Sequence, residues 1–268
     1  MSSNTKALRL RIKSVTSTLQ LTKAMGLVAS SKIRRANLAM QNARQYRNAL
    51  SGAISILTAD SESQKSPYMQ KHETGITKII VISGDRGMAG GYNANVFRLA
   101  AEYKNAQIIP IGKRACDRFS GKLISSEKFS FEDAENLSNS LCEQFCKGEF
   151  DRLGIIYTKY LSAMTQTAEI EWLLPLEKSE NSENTDVIFE PDKLTVLNNA
   201  VKEYISGILT SLIRESFASE VNARRMAMDS AGKNAKQMID DLSLEYNRAR
   251  QGAITQEITE IVAGSGEM

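Results

Sequence analysis

The sequence has no run of 18 or more apolar residues, which excludes a hydrophobic helix spanning a bilayer. Its three cysteines, Cys116, Cys142 and Cys146, stand at no metal-ligand spacing, and His72 is the only histidine. That excludes a disulfide framework and a zinc or histidine-based metal centre, leaving only all-carboxylate sites for a hard cation. Proline is confined to Pro67, Pro110, Pro175 and Pro191, so residues 1–66 and 192–268 carry none and are free to form long helices. Asp and Glu are absent from residues 1–59, and Tyr46 is the only aromatic before residue 68. What is present is a 268-residue chain, 42% hydrophobic and 24% charged, in the range of a folded protein with one or two folding units.

The net charge of +3 conceals a strong asymmetry: +10 over residues 1–59, −5 over 60–191 and −2 over 192–268. The first segment carries Lys6, Arg9, Arg11, Lys13, Lys23, Lys32, Arg34, Arg35, Arg44 and Arg47 with no acid to pair at helical spacing. Like charges repel along such a helix, so an anionic surface is expected opposite it. A basic, Ser/Thr-rich start also fits an organellar transit peptide, but the hydrophobic pattern continues unbroken far past transit-peptide length.

Steps of four and three from Leu8 land on Leu8, Ile12, Val15, Leu19, Thr22, Gly26, Ala29, Ile33, Ala36, Met40, Ala43, Arg47, Leu50, Ile54 and Leu57. This 3.5-residue repeat predicts a helix from about residue 5 to 58, roughly 80 Å long, packed along a partner helix. The period then changes. Ile76 to Ser83, Gln107 to Ile111, Leu153 to Tyr160 and Ala168 to Leu174 read as strands. Helical candidates at Asn93–Tyr103, Lys113–Phe119 and Glu132–Phe150 separate them, and Asn181–Thr185 reads as a surface loop. From Asp192 the helical period returns, with Tyr204, Ile208 and Leu212 on one face and later Met228, Ala231, Ala235, Ile239, Leu242, Tyr246, Ala249 and Ala253. The expected fold is α/β: a long antiparallel coiled coil of the N- and C-terminal helices plus a small central α/β domain with a largely parallel sheet. The expected divisions are 1–59, 60–191 and 192–268, with residues 8–57 and 205–262 pairing.

The string Gly84 to Asn93, GDRGMAGGYN, lies where a strand hands over to a helix. Such a loop can cradle phosphate, but it matches neither dinucleotide nor P-loop spacing, so a tight structural turn is the leading reading, with a partner contact as another. Cys142 and Cys146, one helical turn apart, read as packing residues, and Trp172 and Tyr157 as core aromatics. No nucleophile stands in a recognisable setting with a base, and no catalytic, cofactor or metal residue is assigned.

Four strings carry a family resemblance: TKAMGLVASSKIRRA over Thr22–Ala36, SGDRGMAGGYN over Ser83–Asn93, the stretch Ala218–Asp229, and NRARQGAITQEITEI over Asn247–Ile261. In this order they resemble the gamma subunit of the rotary F-type ATP synthase. The resemblance implies a non-catalytic rotor shaft without cofactor, one copy per complex. It implies contact with alpha and beta subunits around the coiled coil, with an epsilon subunit and a membrane c-type ring at the foot. It also implies peripheral attachment, at the cytoplasmic face of a bacterial membrane in preference to the matrix side of the mitochondrial inner membrane. Carried over by position, Lys23, Met25 and Arg224 belong to the coupling region, Arg250 and Gln251 to a polar catch on a catalytic-subunit loop, and Thr255, Glu257 and Glu260 to the adjoining tip. Gly26 stands where many relatives carry a longer side chain. The alternative reading, a basic coiled coil that binds nucleic acid, lacks the interleaved aromatics usual for that task.

Overall fold

A computed structural model of the chain describes residues 3–60, 62–122, 124–179 and 189–265; the surface loop expected at Asn181–Thr185 lies outside them. Helix α1 spans Ser3–Thr58 and helix α5 spans Lys193–Ser265. Between them run β1 (Thr77–Ile82), α2 (Tyr92–Glu102), β2 (Ala106–Ile111), α3 (Lys113–Phe119), α4 (Phe131–Cys146), β3 (Arg152–Tyr160) and β4 (Gln166–Leu174). Two short 3-10 turns, Glu62–Lys65 and Pro67–Met69, occupy the connection after α1. Asp192 caps α5, its carboxylate accepting from the Thr195 N–H at 2.8 Å. The chain divides into two compact units that cut across both long helices: Met1–Ala29 with Arg225–Met268, and Ser30–Arg224.

In the larger unit the strand order is β2-β1-β3-β4. β1 pairs in parallel with β2 and β3, while β3 and β4 are antiparallel. The expected parallel character thus holds for two of the three pairings. The third is antiparallel because the five residues between Tyr160 and Gln166 are too few for a crossover. From Ile79 to Ile82 β1 reads as an unbroken apolar run because both faces are covered there. Ile80 and Ile82 face a core with Phe145 of α4 and Leu197, Ile208 and Leu212 of α5. Ile79 and Val81 face Val96 and Ala100 of α2 and Ala115 of α3. α4 starts at a capping box between Ser130 and Asp133 and ends at Cys146, earlier than the expected Phe150. Gly148, at φ 70°, turns the backbone out of the helix, and Phe150 folds back 5.4 Å from the Phe145 ring.

In this unit α1 and α5 run antiparallel. Contacts pair Asp60 with Lys193, Tyr46 with Glu203, Arg44 with Glu215 and Asn37 with Asn222, descending on one helix as they ascend on the other. In the smaller unit the same sense holds: a Cβ on Gly26 would lie 3.6 Å from that of Met228, and one on Gly232 3.6 Å from the Thr22 hydroxyl. None of the fifteen repeat positions on α1 is exposed, nor is any of the eight from Met228 to Ala253 on α5.

Candidate partner interface

The first part of α1 in the smaller unit presents Lys6, Arg9, Arg11, Lys13 and Lys23 to solvent. They lie off the partner-facing seam of Leu8, Ile12, Val15 and Leu19, none of which is exposed, and make the open surface of this stretch cationic. Met25 is half-buried beside Gly26, whose missing side chain opens α1 to the close approach of Met228. Leu10, Leu21 and Leu27 are also exposed, the last by 73%. Exposed leucines beside a row of cations make this stretch a candidate contact surface.

The end of α5 is more open still. Arg250, Gln251, Thr255, Glu257 and Glu260 are all exposed. Thr255 donates its hydroxyl to the Gln251 carbonyl at 2.9 Å, and Gln256 donates its amide to Glu260 at 2.9 Å, so local bonds hold part of this polar face. Among them Ile254, Ile258, Ile261 and Val262 form an exposed apolar stripe at helical spacing. Lys23 and Met25 are separated from this tip by about five turns along α5, since Thr22 faces Gly232. The expected site residues of the smaller unit therefore form two patches.

Arg224 belongs to the larger unit and points inward. Its guanidinium meets Glu220 at 2.5 Å and donates to the carbonyls of Arg86 and Gly87 at 3.4 Å, and the side chain is 13% exposed. Burial raises the pKa of Glu220 against the pull of Arg224. Gly84 is required here, because a Cβ would lie 2.6 Å from the Glu220 carboxylate. Arg224 thus straps the Gly84–Asn93 turn to α5, a role the sequence showed only as the i,i+4 spacing of Glu220 and Arg224.

The turn has a second anchor that sequence reasoning missed. The Asp85 carboxylate accepts from the backbone N–H groups of Lys113 and Ser126 at 3.0 Å, from that of Glu127 at 3.1 Å and from the Ser125 hydroxyl at 2.5 Å. Burial alone would raise its pKa, but the Ser125 bond and the three N–H groups together hold it below the usual carboxylate range. The leading reading of the string as a tight structural turn fits this geometry. Of the two paired thiols, Cys142 is buried and its pKa is pushed up to about 11 by burial, whereas Cys146 is exposed and does not pack as expected. Tyr157 is a core aromatic as expected; Trp172 is only partly buried and carries the Arg152 guanidinium 3.9 Å above its ring.

The cationic helix also finds acids within the chain. Glu215, with a side chain 2% exposed, binds Arg44 at 2.6 Å, while Arg47 reaches Glu171 at 2.7 Å and Lys32 reaches Glu127 at 2.5 Å. The hydrogen bond to Glu215 is the main cause of the raised pKa of Arg44. An anionic surface opposite α1 was expected, and for these three cations it is the chain's own. Among the described residues no helix is long and apolar enough to cross a membrane, and no group of His, Cys, Asp and Glu is placed to hold a metal.

A family model described as ATP synthase matches residues 4–266. The ATP synthase gamma chain of Ruminococcus albus is 40% identical over 98% of both chains. The sodium ion specific ATP synthase gamma chain of Acetobacterium woodii is 38% identical over 99% of both. The fold is also that of a chain in the Euglena gracilis mitochondrial ATP synthase OSCP/F1/c-ring structure, with TM-score 0.69, 19% identity and coverage of 98% of this chain and 94% of that one. A chain of the Tetrahymena thermophila mitochondrial central stalk/c-ring structure matches with TM-score 0.62, 21% identity and coverage of 79% and 99%.

Proposed function

The chain belongs to the ATP synthase gamma-chain family, and from that premise we propose that its cationic, apolar-studded smaller unit is the part of a rotor that turns against catalytic subunits. As a gamma chain it is a non-catalytic central-stalk subunit of an ATP synthase, a rotary motor that couples ion transport to ATP synthesis. The partners we assign are alpha and beta subunits around the paired helices, with an epsilon subunit and a membrane c-type ring against the α/β domain. One copy serves each complex, attached peripherally at the cytoplasmic face of a bacterial membrane. Residues 1–59 and 192–268 serve as the shaft and 60–191 as its foot.

The observation that carries this reading is the exposure, on the smaller unit, of large apolar side chains and of a cation row without ion-pair partners among the described residues. Cations attract an acidic partner surface, and the apolar side chains give it something to slide over without fixed hydrogen bonds. Lys23 is exposed on this unit, and Met25 is half-buried beside the seam at Gly26. Arg250 and Gln251 offer a guanidinium fork and an amide to a carboxylate-bearing loop, with Thr255, Glu257 and Glu260 beyond them. Arg224 acts through the turn that it straps to α5. A nucleic-acid reading loses ground because Lys32, Arg44 and Arg47 are already paired.

The test is single-molecule rotation of the assembled complex. Arg250→Ala removes a charge-assisted bond of about 1.5–3 kcal/mol in the state that makes it and should lengthen dwells, with circular dichroism unchanged. Met25→Lys should hydrolyse ATP with reduced ion pumping per ATP. Wild-type dwell times in both Arg250→Ala and Gln251→Ala, with normal pumping in Met25→Lys, would remove these residues from the mechanism.

A further inference from the structure

The two outer strands of the sheet, β2 and β4, are finished differently. β2 carries Pro110, which has no N–H to offer, and the segment after α3 lies against it. There the Gly112 N–H donates to the Ile124 carbonyl at 3.0 Å, and a Cβ on Gly121 would lie 2.2 Å from the Pro110 ring. β4 is nine residues long and holds no proline, glycine or lysine, the residues that usually blunt an edge. Its pairing with β3 shifts register only at the far end, between Leu153 and Gly154.

Which backbone groups of β4 face outward follows from β3. The Thr158 and Tyr160 N–H groups donate to Ser216 and Glu215 of α5, so they point away from β4. Residues opposite such a position in an antiparallel pair point outward as well. Ala168 stands opposite Thr158 and Gln166 opposite Tyr160, and the period of two adds Ile170 and Trp172. The outward N–H and C=O groups of Ala168, Ile170 and Trp172 have no hydrogen-bond partner among the described residues. Their side chains are half-buried in the cluster with Val96 and Ala100 of α2. On the opposite face Glu169 binds Lys159 and Glu171 binds Arg47. At the turn into β4, Leu161 is 56% and Met164 76% exposed.

An unpaired ladder fits one kind of occupant, an extended backbone of the same pitch. A second copy of this chain is ill suited to it: paired antiparallel about Ile170, it would set Glu169 opposite Glu171 twice, like charges across the ladder. The two acids instead favour a strand with Lys or Arg at alternate positions and apolar residues between them, which meet Ile170 and Trp172 on the other face. We propose that β4 is a docking edge completed by such a strand from another subunit of the complex. The inference rests on the stalk reading, which supplies that subunit, and deepens it by naming the surface and the mode of contact.

The experiment reads amide hydrogen exchange residue by residue on the full-length chain, alone and in the assembled complex. Co-purification of alpha and beta subunits is scored first, and their absence overturns the stalk reading and this inference with it. In the complex the Ala168, Ile170 and Trp172 amides should exchange about ten-fold or more slower than in the free chain, while those of Thr167, Glu169 and Glu171, already turned toward β3, change far less. A complex that forms with unchanged exchange at the three outward amides overturns the docking edge alone. Equal slowing at all six overturns it too, because a partner then lies over a face of the sheet. Slowing in the free chain together with dimers in sedimentation gives the edge to a second copy and overturns the assignment to another subunit. Ala168→Pro removes only an outward N–H and should keep the wild-type circular dichroism while losing the slowing at Ile170 and Trp172. A folded Ala168→Pro that retains the slowing overturns the proposal, and if this variant fails to fold the wild-type exchange pattern decides.

Discussion

Two stretches of α5 meet very different surroundings. From Val201 to Asn222, within the larger unit, only Glu203 is exposed. From Arg225 to Ala263, within the smaller unit, buried positions recur only at Met228, Ala235 and Leu242, seven residues apart. The first stretch is held on all sides by the sheet, α4 and α1, and it buries Ser206, Ser211, Ser216 and Ser219 along with its leucines and isoleucines. The second keeps one seam and leaves the rest of its surface open. A single helix thus changes from a core element to half of a two-helix seam, and stability and partner contact fall to different halves.

The largest expected effect that tests this division is Leu209→Ala, at a fully buried position, which should cost about 2–5 kcal/mol in urea unfolding. Ile258→Ala, 56% exposed, should leave stability within about 0.5 kcal/mol while weakening complex assembly in a pull-down. Equal losses of stability from the two would erase the contrast. Next in size is Glu215→Ala, which strips Arg44 and Arg47 of a buried carboxylate. A loss on the order of 2 kcal/mol is expected, below that of a fully buried pair because Arg44 is 38% exposed. Smaller and opposite in sign is Gly26→Ala. Its Cβ would meet Met228 at ordinary contact distance, so helix propensity should dominate and raise stability by about 0.5–1 kcal/mol. A drop in Tm would show that the seam there is tighter than 3.6 Å allows.

The smallest effect is on pH dependence. Asp85 has a lowered pKa in the fold, so its contribution is present above the unfolded value, about 3.9, and is lost as pH falls through the folded one. Asp85→Asn should therefore lose less stability than wild type in acid, measured as Tm between about pH 6 and pH 3. An identical acid slope in the two proteins would take Asp85 out of that loss.

The seam positions were legible because a 3.5-residue repeat needs only one chain to announce it, and Ala29, Ala36 and Met40 are buried as the period requires. The middle of α5 was less so. Its serines resemble a solvated face, yet they are buried: Ser216 and Ser219 bond Thr158 of β3 and Ser206 bonds back to the Glu203 carbonyl, partners that no hydrophobic period records. The strands were legible from β-branched runs, whereas the end of α4 depended on the positive φ of Gly148. Of the site, the residues of the smaller unit were read from resemblance, and all of them but Met25 are exposed. The inward turn of Arg224 and the anchoring of Asp85 were hidden, since their partners lie up to 138 residues away.

Beyond Ile156, β3 runs past its pairing with β1, and α5 takes over that edge. The Thr158 N–H donates to the Ser216 hydroxyl at 3.1 Å, the Ser219 hydroxyl donates to the Thr158 carbonyl at 3.1 Å, and the Tyr160 N–H donates to Glu215 at 3.0 Å. A helix here does the work of a neighbouring strand. The Thr158 and Tyr160 amides can therefore exchange with deuterium only when α5 lifts from the sheet, so their exchange rates report on helix and sheet coming apart under load, separately from the fraying of any strand end.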